Sequence, residues 1–163
     1  MLYANIRTDV ANGQDADARE NMLLGATLAG MAFANAPVAA VHALAYPLGG
    51  HFHLPHGLSN ALMLTATLRF NLESARAEYA QLGRAIDPAL ATADDASAAE
   101  RFVSLIAALV AEMPFAQSLS AAGVTETSLP RLAEDAMKQQ RLLVNNPRDV
   151  ALADALQLYR TAY

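Results

Sequence analysis

Val41 to Leu62 reads VHALAYPLGGHFHLPHGLSNAL, and this stretch organises the whole sequence. It holds all four histidines of the chain, His42, His51, His53 and His56, within fifteen residues. Imidazole is the commonest protein ligand for transition metals and the side chain that titrates nearest neutral pH. Pro47 and Gly49-Gly50 interrupt an otherwise apolar helical pattern, which predicts a chain reversal between two helices. His42 then lies on the first helix and His56 at the start of the second, fourteen residues apart. Such a reversal lets both imidazoles face one point, as in bundle cores that take ligands from facing helices. His51 to Pro55 reads as the loop between them.

Outward from this hairpin the sequence is alanine- and leucine-rich helix. Asp15 to Ala36 reads as a long helix capped by Asp15 or Asp17. With almost no charge beyond Asn21, it is expected to be deeply buried. Pro37 opens the helix carrying Val41, His42, Leu44 and Ala45, which is expected to break at Pro47. His56 to Ser74 and Arg76 to Ile86 follow as helices, then a loop over Asp87 to Ser97. Ser97 to Met113 is amphipathic, with Phe102, Leu105, Ile106, Leu109 and Val110 on one side. Gln117 to Ser128 is a loop with a short helical turn. Leu129 to Val144 is helical, and Asn145-Asn146-Pro147 is a turn. Asp149 is expected to cap a last helix ending near Ala162. No strand alternation is sustained. The expectation is an all-α, bundle-like fold of seven or eight helices, one domain over residues 1–163.

Composition removes several classes of function. Net charge is −5 with no basic tract, so nucleic acid is not an expected partner. No apolar run reaches the length of a membrane span, and no signal peptide is visible. Cysteine is absent, which excludes disulfides, thiolate ligands and a cysteine nucleophile, and fits a cytoplasmic enzyme. Tryptophan is absent and aromatics are 6%, so the core is expected to be aliphatic. No phosphate-binding glycine motif and no HExxH occur. On spacing alone, two histidines are a poor metal site, because a divalent ion wants at least three protein ligands. His42 as a satisfied core residue is the blander reading, and a metal-dependent hydrolase lacks both a third ligand and a base.

The run His42-Ala43-Leu44-Ala45-Tyr46-Pro47-Leu48-Gly49-Gly50, then Pro55-His56-Gly57, Asn60-Ala61 and Phe70-Asn71, resembles the iron-containing (group III) alcohol dehydrogenases. The family pattern is H-x3-H-P-L-G, a variable stretch, PHG, NA and a later FN. Glu20 to Ala36 is similar to the preceding helix, and Asn146-Pro147-Arg148 to an NPR near the C-terminus. The resemblance covers nearly the whole chain and implies the helical, metal-binding C-terminal domain of that fold. It further implies that His42 and His56 are two of four metal ligands, the others being in an upstream D-x3-H motif. The glycine-rich segment of the N-terminal α/β domain that binds NAD or NADP would lie further upstream. The chain is therefore expected to be a C-terminal fragment or a truncated gene product, incomplete and inactive alone. The implied ion is Fe²⁺ first and Zn²⁺ second, the substrate a small alcohol or aldehyde, and the assembly a homo-oligomer. Tyr46 stands where the family often has a histidine near the nicotinamide that handles a proton. A phenol can relay a proton, but its ordinary pKa is near 10 against about 6.5 for imidazole, so Tyr46 is a catalytic candidate of weaker chemistry. The alternative is a non-catalytic helical module with vestigial histidines.

Overall fold

The structure, a computed structural model, describes residues 1–163 and contains nine α-helices, two 3₁₀ turns and no strand. The helices are α1 (Leu2–Ala11), α2 (Ala16–Phe33), α3 (Ala40–Phe52), α4 (His56–Asn71), α5 (Arg76–Ile86), α6 (Asp95–Glu112), α7 (Leu129–Met137), α8 (Gln140–Leu143) and α9 (Leu152–Ala162). They fall into two compact units, residues 1–37 and 38–163. The all-α expectation holds. The tally exceeds seven or eight because α1 was not anticipated and the segment after Leu129 divides in two.

In the first unit α1 and α2 form a helical hairpin. Asp15 caps α2 by accepting from the Ala18 N–H at 2.9 Å, as its sequence predicted. Gly25 lets α1 approach closely, since a Cβ there would lie 2.7 Å from the Leu2 side chain. The expectation that α2 is deeply buried fails: only Ala18 and Gly25 are buried, while Leu23 is 71% and Met31 63% exposed. A helix apolar on every side presents more surface than one short partner can cover.

In the second unit the main core joins α3, α4, α7 and α9 around Leu44, Leu48, Met63, Leu132 and Tyr159, all essentially inaccessible. A second cluster pairs α5 with α6 through Tyr79, Ala80, Ala99 and Phe102. There Gly83 is required, because a Cβ would sit 2.7 Å from the Ala98 carbonyl oxygen.

Three local expectations are corrected. α3 does not break at Pro47 but runs through it and through Gly49-Gly50 to Phe52. An interior proline costs about 3 kcal/mol. Burying Leu44 and Leu48, at about 1.5–3 kcal/mol each, exceeds that. The helix stops instead at His53, whose φ of 54° is left-handed and whose N–H closes on Gly49 O. His51 and Phe52 are thus helical rather than loop. Downstream, Leu129 to Val144 breaks at Lys138-Gln139, with Gln139 out of helical geometry (ψ 46°). The break lets Leu142 and Leu143 pack with Ala40 and Ala43 of α3. Finally, Asp149 does not cap α9. The helix begins at Leu152, and Asp154 accepts from the Ala151 N–H at 3.0 Å.

Candidate metal centre

The hairpin of α3 and α4 sets the site. His42 is in the first turn of α3, and His56 is the first residue of α4. Leu54-Pro55 makes the reversal after the left-handed His53. This brings the two rings face to face at a tilt, with centroids 5.2 Å apart. The convergence expected from the fourteen-residue spacing is what the structure contains. Burial, then the neighbouring His56 charge, lowers the His42 pKa below the ordinary histidine value. The shift favours the neutral form of His42, the form in which an imidazole can bind a metal.

Tyr46 lies one turn after His42 on the same face of α3. Its ring is 6.1 Å from that of His56, and the residue is 38% exposed. It borders the histidine pair with its surface open. His51 and His53 do not join the pair. His51 Nε2 meets Asp135 Oδ2 of α7 at 2.6 Å, and Asp135 also accepts from Lys138 Nζ at 2.5 Å. Those contacts hold the Asp135 carboxyl down at about 2, Lys138 contributing more than His51. His51 therefore ties the end of α3 to α7.

Asn60, one turn into α4 from His56, is the residue that spacing did not single out. Its Nδ2 lies 3.0 Å from His56 Nε2 and 3.5 Å from His42 Nε2. Its Oδ1 is buried and has no hydrogen-bond partner. The signal was present as Asn60 at i+4 from His56, but a lone asparagine on a helix is usually a solvated residue. A groove of about 760 Å³ runs from this point along α4, walled by Val41, Leu64, Leu68 and Tyr79, with His42 and Asn60 at its rim.

The later motifs serve the frame of this groove. Asn146 and Asn71 exchange carboxamide hydrogen bonds at 2.8 and 2.9 Å. The Arg148 guanidinium sits 3.9 Å over the Phe70 ring and donates to the Phe70 carbonyl at 3.0 Å. Thus Asn146-Pro147-Arg148 is fastened to Phe70-Asn71 at the end of α4, and its polar groups are spent on structure.

Two imidazoles whose Nε2 atoms lie within 3.5 Å of the same Asn60 amide nitrogen fit half the coordination sphere of Fe²⁺ or Zn²⁺. No third histidine, cysteine, aspartate or glutamate groups with them in this chain.

Comparison with known proteins covers the whole chain. The family described as Fe-containing alcohol dehydrogenase, C-terminal, matches residues 1–163. The chain is 37% identical over 163 residues to long-chain-alcohol dehydrogenase 1 of Geobacillus thermodenitrificans, covering 100% of this chain and 41% of the relative. It is 34% identical over 163 residues to 1,3-propanediol dehydrogenase of Klebsiella pneumoniae, covering 100% of this chain and 42% of the relative. Among solved structures, a 1,3-propanediol oxidoreductase superposes with a TM-score of 0.94 at 34% identity, over 99% of this chain and 42% of the other. An alcohol dehydrogenase from Oenococcus oeni superposes with a TM-score of 0.92 at 31% identity, over 99% and 42%. The chain therefore spans about two fifths of the length of these relatives.

Proposed function

The chain belongs to the iron-containing alcohol dehydrogenase family, within its C-terminal part, and on that premise we propose that it is the helical, metal-binding portion of an NAD(P)-linked oxidoreductase interconverting alcohols with aldehydes or ketones. The observation that carries the reading is the convergence of His42 and His56, from two helices, on one point at the rim of an apolar groove.

In this reading His42 and His56 hold a divalent ion, Fe²⁺ first and Zn²⁺ second, together with ligands from an upstream segment. A bound ion would supply Lewis acidity toward the alcohol oxygen, and a nicotinamide cofactor, which the α/β domain of the family fold would hold, would supply the hydride chemistry. This chain's own residues do the rest. Burial, then the neighbouring His56, lowers the His42 pKa and so favours the neutral form that can act as a ligand. The Val41, Leu64 and Leu68 wall holds the aliphatic part of a small alcohol or aldehyde and excludes water around it. Tyr46, one turn after His42 with its ring 6.1 Å from that of His56, borders the site and is the candidate for moving a proton at its phenol oxygen between the site and solvent. The Asn146–Asn71 and Arg148–Phe70 contacts keep the groove's far end fixed. The relatives are named for a long-chain alcohol and for 1,3-propanediol, so an aliphatic alcohol is the substrate class proposed for this groove.

No helix is long and apolar enough to cross a membrane. A cytoplasmic, homo-oligomeric enzyme completes the proposal, the exposed apolar side of α2 favouring association.

The test is His56→Ala in the protein that carries this chain. Metal content by elemental analysis and NAD(P)H-linked alcohol oxidation are both expected to collapse. A variant with full metal occupancy and undiminished turnover refutes the reading. The two-ligand count favours one competitor, a non-catalytic module with vestigial histidines. Metal content and turnover of the 163-residue chain beside a longer gene product separate them. Activity confined to the longer protein supports the enzyme, and inactivity of both supports the module.

A further inference from the structure

We propose that Asn60 is a positioning residue that sets the tautomer of both ligand histidines and aims their lone pairs at a single point before any ion arrives. This rests on the reading of His42 and His56 as metal ligands.

The chemistry follows from donor and acceptor inventory. A carboxamide nitrogen only donates, so each imidazole nitrogen facing Asn60 Nδ2 must accept. Those nitrogens are His56 Nε2 at 3.0 Å and His42 Nε2 at 3.5 Å. Both rings therefore carry their proton on Nδ1 and present Nε2 lone pairs to the same place. The opposite orientation of the amide would put Oδ1 there and select Nε2–H on both rings. A protonated Nε2 is not a metal ligand.

A second observation argues that the amide is held for this purpose. Asn60 Oδ1 is buried and without a partner, a cost to folding that an alanine or leucine at this position would avoid. The nitrogen's contacts with two rings are what the residue gains in return. Spacing supplies the rest. Asn60 is one helical turn from His56 on α4, and α3 brings His42 to the other side of the same NH₂ group. Asparagine alone fits this role. Aspartate can only accept, serine offers one proton for two rings, and glutamine would carry the amide past them. On loading, the NH₂ group gives up both lone pairs, so Asn60 acts through the histidines.

The test uses the protein carrying this chain, freed of metal with a chelator, at about pH 8, where neutral imidazole predominates. Long-range ¹H–¹⁵N correlation spectra read the ring tautomers, with His56→Ala for assignment. The parent protein is expected to show Nδ1–H on both rings. Asn60→Ala should show mixed tautomers, and Asn60→Asp should shift both rings toward Nε2–H. Zinc affinity, by competition with a chromophoric chelator, should fall about fourfold in Asn60→Ala, the loss expected when each ring holds either tautomer and about a quarter of the molecules present both Nε2 lone pairs. Asn60→Ser, which keeps one donor, should fall less. Circular dichroism establishes which variants fold, and Asn60→Ser carries the test if Asn60→Ala does not. Nε2–H rings in the parent protein overturn the proposal. So do tautomers unchanged in every folded variant, or zinc bound as tightly or more tightly without the amide. Nδ1–H rings that depend on Asn60, in a protein that binds no zinc, would sustain its hold on the histidines and refute the metal reading separately.

Discussion

Tyr159→Phe should destabilise the protein at neutral pH and stabilise it relative to the parent in strong alkali. The Tyr159 hydroxyl is buried and donates to the Leu44 carbonyl of α3 at 2.6 Å. Phenylalanine keeps the ring in the core and removes only that bond. The expected loss at pH 7 is about 1 kcal/mol, the net worth of a typical hydrogen bond. For a chain of this size that is a fall in Tm of about 2–4 °C. Burial, reinforced by the nearby Asp135 charge, raises the Tyr159 pKa well above the usual tyrosine value. A raised folded-state pKa gives stability that is complete below the unfolded pKa, near 10, and is lost as pH rises beyond it. The unfolded chain ionises there while the folded chain keeps its proton, a slope of about 1.4 kcal/mol per pH unit. The variant lacks this slope. The two stability curves should therefore cross near pH 10.7, roughly 0.7 of a unit above 10. Urea unfolding at intervals from pH 7 to 11.5 (about half-unit steps) measures both limbs. A variant as stable as the parent at pH 7, or one whose alkaline decline runs parallel to the parent's, refutes the assignment.

Three further predictions concern helix packing and the charge at the end of α3. Gly83→Ala should destabilise by about 1 kcal/mol: overpacking costs about 1–3 kcal/mol and outweighs a helix-propensity gain of about 1, because the neighbour at 2.7 Å is the Ala98 backbone oxygen. Gly30→Ala, with nothing within 4 Å, should instead stabilise, by about 0.5–1 kcal/mol; thermal melts giving both variants the same sign would refute the packing argument. The depressed Asp135 carboxyl, at about 2, implies stability present above the unfolded aspartate pKa and lost as pH falls from about 4 to 2. Asp135→Asn should flatten that acid limb in pH-dependent melts, and an unchanged limb would exclude the Lys138–Asp135–His51 contacts as its source.

What the sequence made legible, and what it hid, divides by the range of the interaction responsible. Arg76 to Ile86 is a helix with those bounds, and the helix read over Ser97 to Met113 runs from Asp95 to Glu112. Both are amphipathic, and each local signal agrees with the packing of α5 on α6. α1 went unread although Leu2, Ile6 and Val10 recur every four residues. Its intervening Asn5, Thr8 and Asp9 are poor helix formers, and α2 supplies what propensity does not. Pro47 misled for the converse reason. Its local cost is fixed, while the burial of Leu44 and Leu48 that exceeds it depends on α7 and α9, more than eighty residues away.

The site divides in the same way. His42 and His56 were visible because a reversal of known chemistry separates them by a short span. Even with the bend misplaced to Pro47, the hairpin forms, since His53 and Pro55 turn the chain a few residues later. The partnership of His51 with Asp135 spans 84 positions and leaves no local mark. Asn60 is the instructive case, because its position was legible and its work was not. Spacing puts it on the His56 face of α4, but only the arrival of α3 brings a second ring nitrogen, His42 Nε2, to the same NH₂ group. A role that requires one side chain to satisfy two others on different helices cannot be read from any single helix. It follows that the α3–α4 hairpin, rather than the histidine pair alone, is the smallest unit that specifies the proposed half-site, and that displacing the His53–Pro55 turn should disturb both ring tautomers together in the same ¹H–¹⁵N spectra.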